Sequence, residues 1–177
     1  LKRALRSPDI QLRTAAIQAL ARFPDALDTE TVLGLLRREH HDAVTRTCLR
    51  LLNSRRHADP RILPHVARML QAPDQGLRHE AVNYVVRVPG EAAARLLCKV
   101  IADDEDGSVR ATAATGLVTW LREQKISPRA IRDSLARVLK SRHNRVRRLV
   151  VEAVAKVVEP ETGPLLLDVL VSDDVPD

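Results

Sequence analysis

Residues 73–85, PDQGLRHEAVNYV, contain the pattern from which the fold of this chain can be predicted. Asp74 stands three residues before Leu77, and apolar side chains recur four, five and eight residues after Leu77. This spacing places the apolar residues on one face of an α-helix. An aspartate ahead of the first turn can accept hydrogen bonds from the free amides there. We therefore predict an amphipathic helix that begins next to Asp74.

The same pattern occurs five times along the 177 residues. The anchor residues, equivalent to Leu77, are separated by 32, 33, 32 and 37 positions. A period of this length is typical of solenoids built from stacked repeats. The five segments are PDIQLRTAAIQAL (8–20), HHDAVTRTCLRLL (40–52), PDQGLRHEAVNYV (73–85), EDGSVRATAATGL (105–117) and RHNRVRRLVVEAV (142–154), with anchors Leu12, Val44, Leu77, Val109 and Val146.

A second set of amphipathic segments lies between these helices, and Pro60, Pro89 and Pro128 stand near the starts of three of them, as suits the first turn of a helix. Each repeat is therefore a helix, a short turn and a helix, and its apolar stripes are buried by stacking on its neighbours. Because both ends of the sequence fall inside a repeat, we expect a part of a longer solenoid. We predict one domain over residues 1–177, with repeats at about 1–24, 28–56, 59–88, 89–125 and 127–159 and a partial repeat at 161–177.

The order Asp, two residues, Val or Leu, Arg, two or three residues, Ala and then Leu resembles the second helix of HEAT-like repeats, especially the short bacterial type named after phycobilisome lyases. The resemblance extends over nearly the whole chain. It implies an all-α fold, a right-handed α-solenoid of about five stacked helix pairs, that acts as a non-enzymatic scaffold. No copy carries the Thr-Pro-Leu-His of ankyrin repeats or the Trp, Leu-Gly and Tyr pattern of tetratricopeptide repeats.

Composition narrows the class of protein. Hydrophobic residues make up 45% of the chain and charged residues 29%, while Phe23, Tyr84 and Trp120 are its only aromatic residues. No segment is apolar over the ~20 residues that a bilayer requires, and the first residues do not resemble a signal peptide, so we expect a cytoplasmic protein with no membrane contact. Cys48 and Cys98 stand in apolar surroundings, and we expect both to be core thiols.

The net charge of +6 comes from 29 basic residues, all but five of them arginine. A basic protein can favour nucleic acid or acidic partners, but frequent arginine also reflects a GC-rich genome. An arginine follows the anchor in four repeats, within the apolar arc of the helix, and must be paired there. We expect a structural ladder that bonds carboxylates or turn carbonyls between adjacent repeats, with ligand binding as the alternative. The ladder consists of Arg13, Arg78, Arg110 and Arg147, and the candidate carboxylates are Asp9, Asp42, Asp74 and Asp106.

The opposite face of the second helices is the candidate binding surface. Positions two, six and ten residues after the five anchors include six basic residues and one acidic residue. By resemblance these helices line the concave side, which predicts a basic groove for an acidic segment of another protein or of this chain. The alternative is sequence-independent binding of a DNA or RNA backbone, as in HEAT-like DNA glycosylases; a solvated face that binds nothing is also open. The predicted groove residues are Arg22, Arg46, Arg50, His79, Arg87, Arg148 and Lys156.

Catalytic and metal sites are not predicted. His79-Glu80 resembles the His-Glu dipeptides that bind two irons in deoxyhypusine hydroxylase, but the other repeats lack this dipeptide. The run His40-His41-Asp42 stands at a helix start, and the acidic turn at 103–106 lacks the spaced ligands of a calcium loop. Trp120 falls in the apolar arc and is expected in the core. We therefore predict no enzyme activity, cofactor or metal.

Overall fold

The computed structural model describes residues 3–23, 28–39 and 41–157, together with residues 163, 164 and 167. All regular secondary structure within these ranges is helical, which confirms the predicted all-α fold. Short 3₁₀ turns occur at Ala4–Arg6, Pro60–Ile62 and Arg129–Ile131. The α-helices are α1 (Ile10–Ala21), α2 (Thr29–Arg38), α3 (Asp42–Ser54), α4 (Leu63–Met69), α5 (Gln75–Val85), α6 (Glu91–Asp103), α7 (Gly107–Arg122), α8 (Arg132–Leu139) and α9 (Asn144–Val154).

The chain divides into two compact units, Leu1–Val88 and Pro89–Asp177, hereafter unit 1 and unit 2. In unit 1, helices α1, α3 and α5 pack side by side, and α2 packs against both α3 and α4. In unit 2, α7 packs against α9 and α6 against α8, while the α6–α7 and α8–α9 pairs join the two layers. Each unit therefore has the two-layer stacking of helix-pair repeats. The partial repeat predicted at 161–177 falls, except for residues 163, 164 and 167, outside the described part of the chain.

Aliphatic side chains between the layers form the core of each unit, as the amphipathic pattern predicts. Ile17 and Leu49 are fully buried in unit 1, and Leu97 and Leu117 are fully buried in unit 2. Trp120 is 3% exposed, which confirms that it is a core residue. No helix in the described ranges is both long enough and apolar enough to cross a membrane.

The second helices of the repeats are α1, α3, α5, α7 and α9. An aspartate directly precedes three of them, as predicted. The Asp74 carboxylate accepts a hydrogen bond from the Leu77 amide at 2.6 Å. Asp9 and Asp106 each accept bonds from two amides in the first turns of α1 and α7. Helices α3 and α9 start after histidines whose side chains make no such bond. Local sequence therefore fixes the starts of α1, α5 and α7 most directly.

The anchor of the first repeat differs from the other four. Val44, Leu77, Val109 and Val146 are buried, whereas Leu12 is 48% exposed. The prediction of a buried anchor is wrong for Leu12. A three-residue 3₁₀ turn packs against α1 where the later repeats have a full first helix, so less of α1 is covered.

Candidate binding surfaces

The predicted groove residues of unit 1 lie on α1, α3 and α5 or directly after them. We call this set the arginine face: Arg22, Arg46, Arg50, His79 and Arg87. Arg22 and Arg50 are exposed and the other three are half-buried. Because the three helices pack side by side, side chains of neighbouring repeats reach one another across this layer.

Arg46 interacts with Asp74, the residue that directly precedes α5 in the next repeat. Its Nη1 lies 3.4 Å from Oδ1 of Asp74, the carboxylate that also caps α5, and the two side chains are 35% and 39% exposed. Gly76 permits this approach, because a Cβ at that position would lie 2.7 Å from Arg46 Nη1. The pair therefore connects the second and third repeats at the surface of unit 1.

Arg50 is held in a similar way, one helical turn further along α3. Its Nε donates to Glu80 Oε1 at 3.0 Å, and the arginine side chain remains 64% exposed. Glu80 is only 17% exposed, and Asn53 Nδ2 donates to both its Oε2 (3.0 Å) and its backbone carbonyl (3.1 Å). The hydrogen bond from Asn53 thus holds the Glu80 carboxylate in place, and the carboxylate in turn orients the Arg50 guanidinium.

Arg87 has a different environment from the one predicted. Its guanidinium donates to the backbone carbonyls of Leu52 (2.9 Å) and Arg55, at the end of α3. Carbonyls at a helix end lack partners within the helix, so Arg87 satisfies them from the next repeat. His79 Nδ1 lies 3.4 Å from Asn83 Nδ2 on the same helix. Because its guanidinium bonds to backbone carbonyls of the preceding repeat, Arg87 has a structural role within the arginine face.

The predicted groove residues of unit 2 are both exposed. Arg148 Nε lies 3.6 Å from Glu152 Oε1, one turn along α9, and the side chains are 78% and 52% exposed. Lys156 follows α9 and is exposed. A single groove that joins these residues to the arginine face remains a prediction.

Unit 2 has a basic surface that the sequence analysis missed. Residues 140–148, KSRHNRVRR, contain five basic residues and no acidic one. We call Lys140, Arg142 and Arg145 the α9 turn: all three are exposed at the turn between α8 and α9 or in the first turn of α9. Burial lowers the pKa of His143 in their midst, and the nearby guanidinium groups of Arg110 and Arg142 lower it further.

The ladder arginines hold the turn that precedes their own helix. Arg13 Nη1 donates to the carbonyls of Ser7 (2.8 Å) and Pro8 (2.9 Å), and its guanidinium also binds Glu39 of the next repeat at 2.8 Å. The positions bonded are six and five residues before the arginine. Arg78, which is 5% exposed, repeats the arrangement with the carbonyls of residues 72 (3.0 Å) and 73 (3.1 Å).

Unit 2 repeats this geometry. Arg110 Nη1 donates to the carbonyls of Asp104 (2.7 Å) and Glu105 (2.9 Å), and Arg147 Nη1 donates to the carbonyl of Ser141 at 3.1 Å. Carbonyl acceptors were among those expected; the carbonyls bonded here belong to the arginine's own repeat, whereas Glu39 supplies Arg13 with a carboxylate from the next repeat. We attribute this to chain geometry, since the turn folds back over the first turn of its own helix.

A cavity lies in unit 1 between the 3₁₀ turn Ala4–Arg6 and α2. It has a volume of about 870 Å³, and Leu5, Gly34 and Leu35 contribute apolar surface. The Arg13–Glu39 ion pair, with side chains 17% and 10% exposed, lies in its wall.

The described residues offer little for covalent or metal chemistry. Cys48 and Cys98 are buried free thiols, and burial raises the pKa of each to about 12, so both stay protonated near neutral pH. Among the residues whose placement is described, no three His, Cys, Asp or Glu side chains come together in a group that could hold a metal ion. His40, part of the sequence cluster considered for metal binding, lies outside the described residues.

Three engineered proteins, whose crystal structures were determined by the Northeast Structural Genomics Consortium, are similar to this chain. The first is 16% identical with a TM-score of 0.56, over 98% of this chain and 88% of its own. The second is 13% identical with a TM-score of 0.62, over 97% and 86%, and the third is 15% identical with a TM-score of 0.61, over 98% and 53%. At these identities the likeness shows the fold alone.

The family of HEAT repeats matches residues 29–118 and 97–177. The two matches overlap and together extend from the second repeat to the last residue. No curated protein matches the sequence.

Proposed function

The chain belongs to the HEAT-repeat family, and from that premise we propose that it is a non-enzymatic binding scaffold for an acidic segment of another protein or of its own chain. The arginine face of unit 1 is the primary binding surface, and Arg148 and Lys156 add basic positions in unit 2. We place the protein in the cytoplasm, where thiols such as Cys48 and Cys98 stay reduced.

The orientation of Arg50 is the observation that carries this proposal. Its guanidinium is held by a nearly buried carboxylate, that of Glu80, while 64% of the arginine side chain faces solvent. A guanidinium has five N–H donors, so one bond to Glu80 leaves others for an incoming carboxylate. Because the side chain is already ordered, binding costs less rotamer entropy than it would for a mobile arginine. Arg46 is presented similarly by Asp74.

The two carboxylates that pair with the arginine face, those of Asp74 and Glu80, also favour an acidic peptide over a nucleic acid as the ligand. Asp74 and Glu80 alternate with Arg46 and Arg50 on this surface. A phosphodiester backbone carries charge at short, fixed intervals and cannot avoid these two carboxylates. A peptide can place its acidic side chains opposite the arginines alone.

The test is the binding of a labelled Glu-rich peptide to the chain, measured by fluorescence anisotropy. We expect Arg46→Gln/Arg50→Gln to weaken binding about ten-fold, which corresponds to about 1.4 kcal/mol. The matched control is Arg37→Gln/Arg68→Gln, which removes two exposed positive charges from the first-helix layer of unit 1. Equal losses in both variants would show that net charge alone attracts the peptide.

Gly76→Ala provides a variant that changes no charge. The new Cβ would lie 2.7 Å from Arg46 Nη1, so the guanidinium must move away from Asp74. We expect weaker peptide binding. The new Cβ would also lie 3.2 Å from Asp74 Oδ1, the oxygen that caps α5, so this carboxylate must shift slightly and we expect only a small change in the melting profile. Full affinity in both Gly76→Ala and the double arginine variant contradicts the assignment of the arginine face.

A further inference from the structure

The α9 turn is a cationic surface on which no described acceptor opposes the charges. Lys140, Arg142 and Arg145 are exposed, and none of their side chains bonds to a described residue. On the arginine face, by contrast, Arg46 and Arg50 each face a carboxylate. The charge of the α9 turn is therefore available to a ligand.

The spacing of these residues continues along α9. Residues 142, 145 and 148 succeed one another at intervals of three, which places successive Cβ atoms about 5–6 Å apart where the chain is helical. Arg148 extends the row, with 78% of its side chain exposed; its Nε lies 3.6 Å from Glu152 Oε1, so this arginine, unlike the residues of the α9 turn, faces a carboxylate. Like charges at this distance repel one another, so the row is stabilised by a ligand that carries repeated negative charges. A chain of phosphates has this property.

We propose that the α9 turn, extended by Arg148, binds the phosphate backbone of duplex DNA. A duplex fits better than a single strand because residues 121–157 contain no Phe, Tyr or Trp side chain on which bases could stack. Trp120, the aromatic residue of unit 2, is buried. In a duplex the bases are already stacked, and backbone contacts alone suffice.

Neighbouring charges set the direction of the bound backbone. Arg110 lies beside His143 and donates to the carbonyls of Asp104 and Glu105, so the acidic turn at 103–106 borders the α9 turn on the α7 side. A phosphate chain is repelled there. The duplex therefore follows α9 away from this border, from Arg142 towards Arg148.

The number of cations gives a measurable salt dependence. Four neutralised phosphates correspond to a slope of about −3.6 in a plot of log affinity against log salt, or about 150-fold weaker binding at 200 mM than at 50 mM salt. The experiment is anisotropy of a labelled 16-base-pair duplex with the full chain across this range. In Lys140→Gln/Arg142→Gln/Arg145→Gln one cation remains, and we expect a slope of about −0.9, or about 3.5-fold.

The matched control is Arg122→Gln/Lys125→Gln/Arg132→Gln. It also removes three positive charges from unit 2, but at the end of α7, just after it and at the start of α8; of these, Lys125 is paired with Glu123 at 2.6 Å. We expect this variant to keep the steep slope and most of its affinity. Equal effects in the two triple variants overturn the proposal, as does a Glu-rich peptide that binds through the α9 turn while the duplex does not. Arg46→Gln/Arg50→Gln should retain duplex binding, so this proposal and the proposed function can fail separately.

A second readout locates the ligand. Burial and the two nearby guanidinium groups of Arg110 and Arg142 depress the pKa of the His143 imidazole, and a phosphate bound between these groups would raise that pKa again. We expect an upward shift of the His143 pKa in an NMR titration when duplex is added, with His143→Gln to assign the signal. Duplex binding that leaves this pKa unchanged places the DNA elsewhere and overturns the assignment.

Discussion

Replacing Arg78 by methionine tests whether the ladder arginines stabilise the fold or bind a ligand. Methionine keeps the apolar stem of this 5% exposed side chain but removes the guanidinium, and with it the hydrogen bonds to the carbonyls of Ala72 (3.0 Å) and Pro73 (3.1 Å). Hydrogen bonds that involve a charged group contribute about 1.5–3 kcal/mol each, but the turn is partly exposed, and water can replace the lost donor. We expect a loss of about 2 kcal/mol in the free energy of unfolding.

Urea denaturation followed by circular dichroism measures this loss, and for a chain of this size the melting temperature should fall by about 4–8 °C. Arg68→Met, at an exposed position in unit 1, is the control and should change stability by less than about 0.5 kcal/mol. The structural interpretation is refuted if Arg78→Met unfolds like the control while it loses affinity for the Glu-rich peptide.

Three further predictions concern single groups. Tyr84 is fully buried and its hydroxyl exchanges hydrogen bonds with the backbone carbonyl and amide of Asp59 at 2.8 and 2.9 Å, so Tyr84→Phe should cost about 1–2 kcal/mol in thermal unfolding. Hydrogen bonding from Arg61 lowers the Asp59 pKa from 3.8 to about 2. The resulting stabilisation is present above pH 3.8 and lost as the pH falls through 2, so the stability difference between wild type and Arg61→Ala should shrink over that interval. Cys48 and Cys98, with pKa values of about 12, should resist a thiol reagent at pH 8 in the native protein and react in urea, as a colorimetric assay would show.

The helix starts could be predicted because their determinants are local. Asp74 and the amide it caps are three residues apart, so the pattern is visible in the sequence alone. The exposure of Leu12 could not be predicted in this way, since burial of an anchor depends on which element packs against it. Sequence periodicity shows which face of a helix is apolar but not how fully that face is covered.

The carboxylates that bind the arginine face could not be predicted from the sequence, because they come close to the arginines only when the repeats stack. Asp74 and Glu80 are 28 and 30 residues from the arginines they bind, and only the packing of α3 against α5 brings them together. The rows that predicted the face included only positions two, six and ten residues after each anchor. Asp74 and Glu80 stand three residues before and three residues after Leu77, so both carboxylates were omitted. The rows also omitted the α9 turn, although the run KSRHNRVRR is visible in the sequence.

The clamp between each ladder arginine and its preceding turn spans only six residues of one repeat. Its geometry is therefore independent of how far away the next repeat begins. The 37-residue interval before the last anchor illustrates this: α7 is 16 residues long, Gln124 then adopts a left-handed conformation, and Arg147 still closes its own turn. Repeats built in this way can be lengthened, duplicated or deleted one at a time, so the length of such a protein can change in evolution while each module keeps its internal structure.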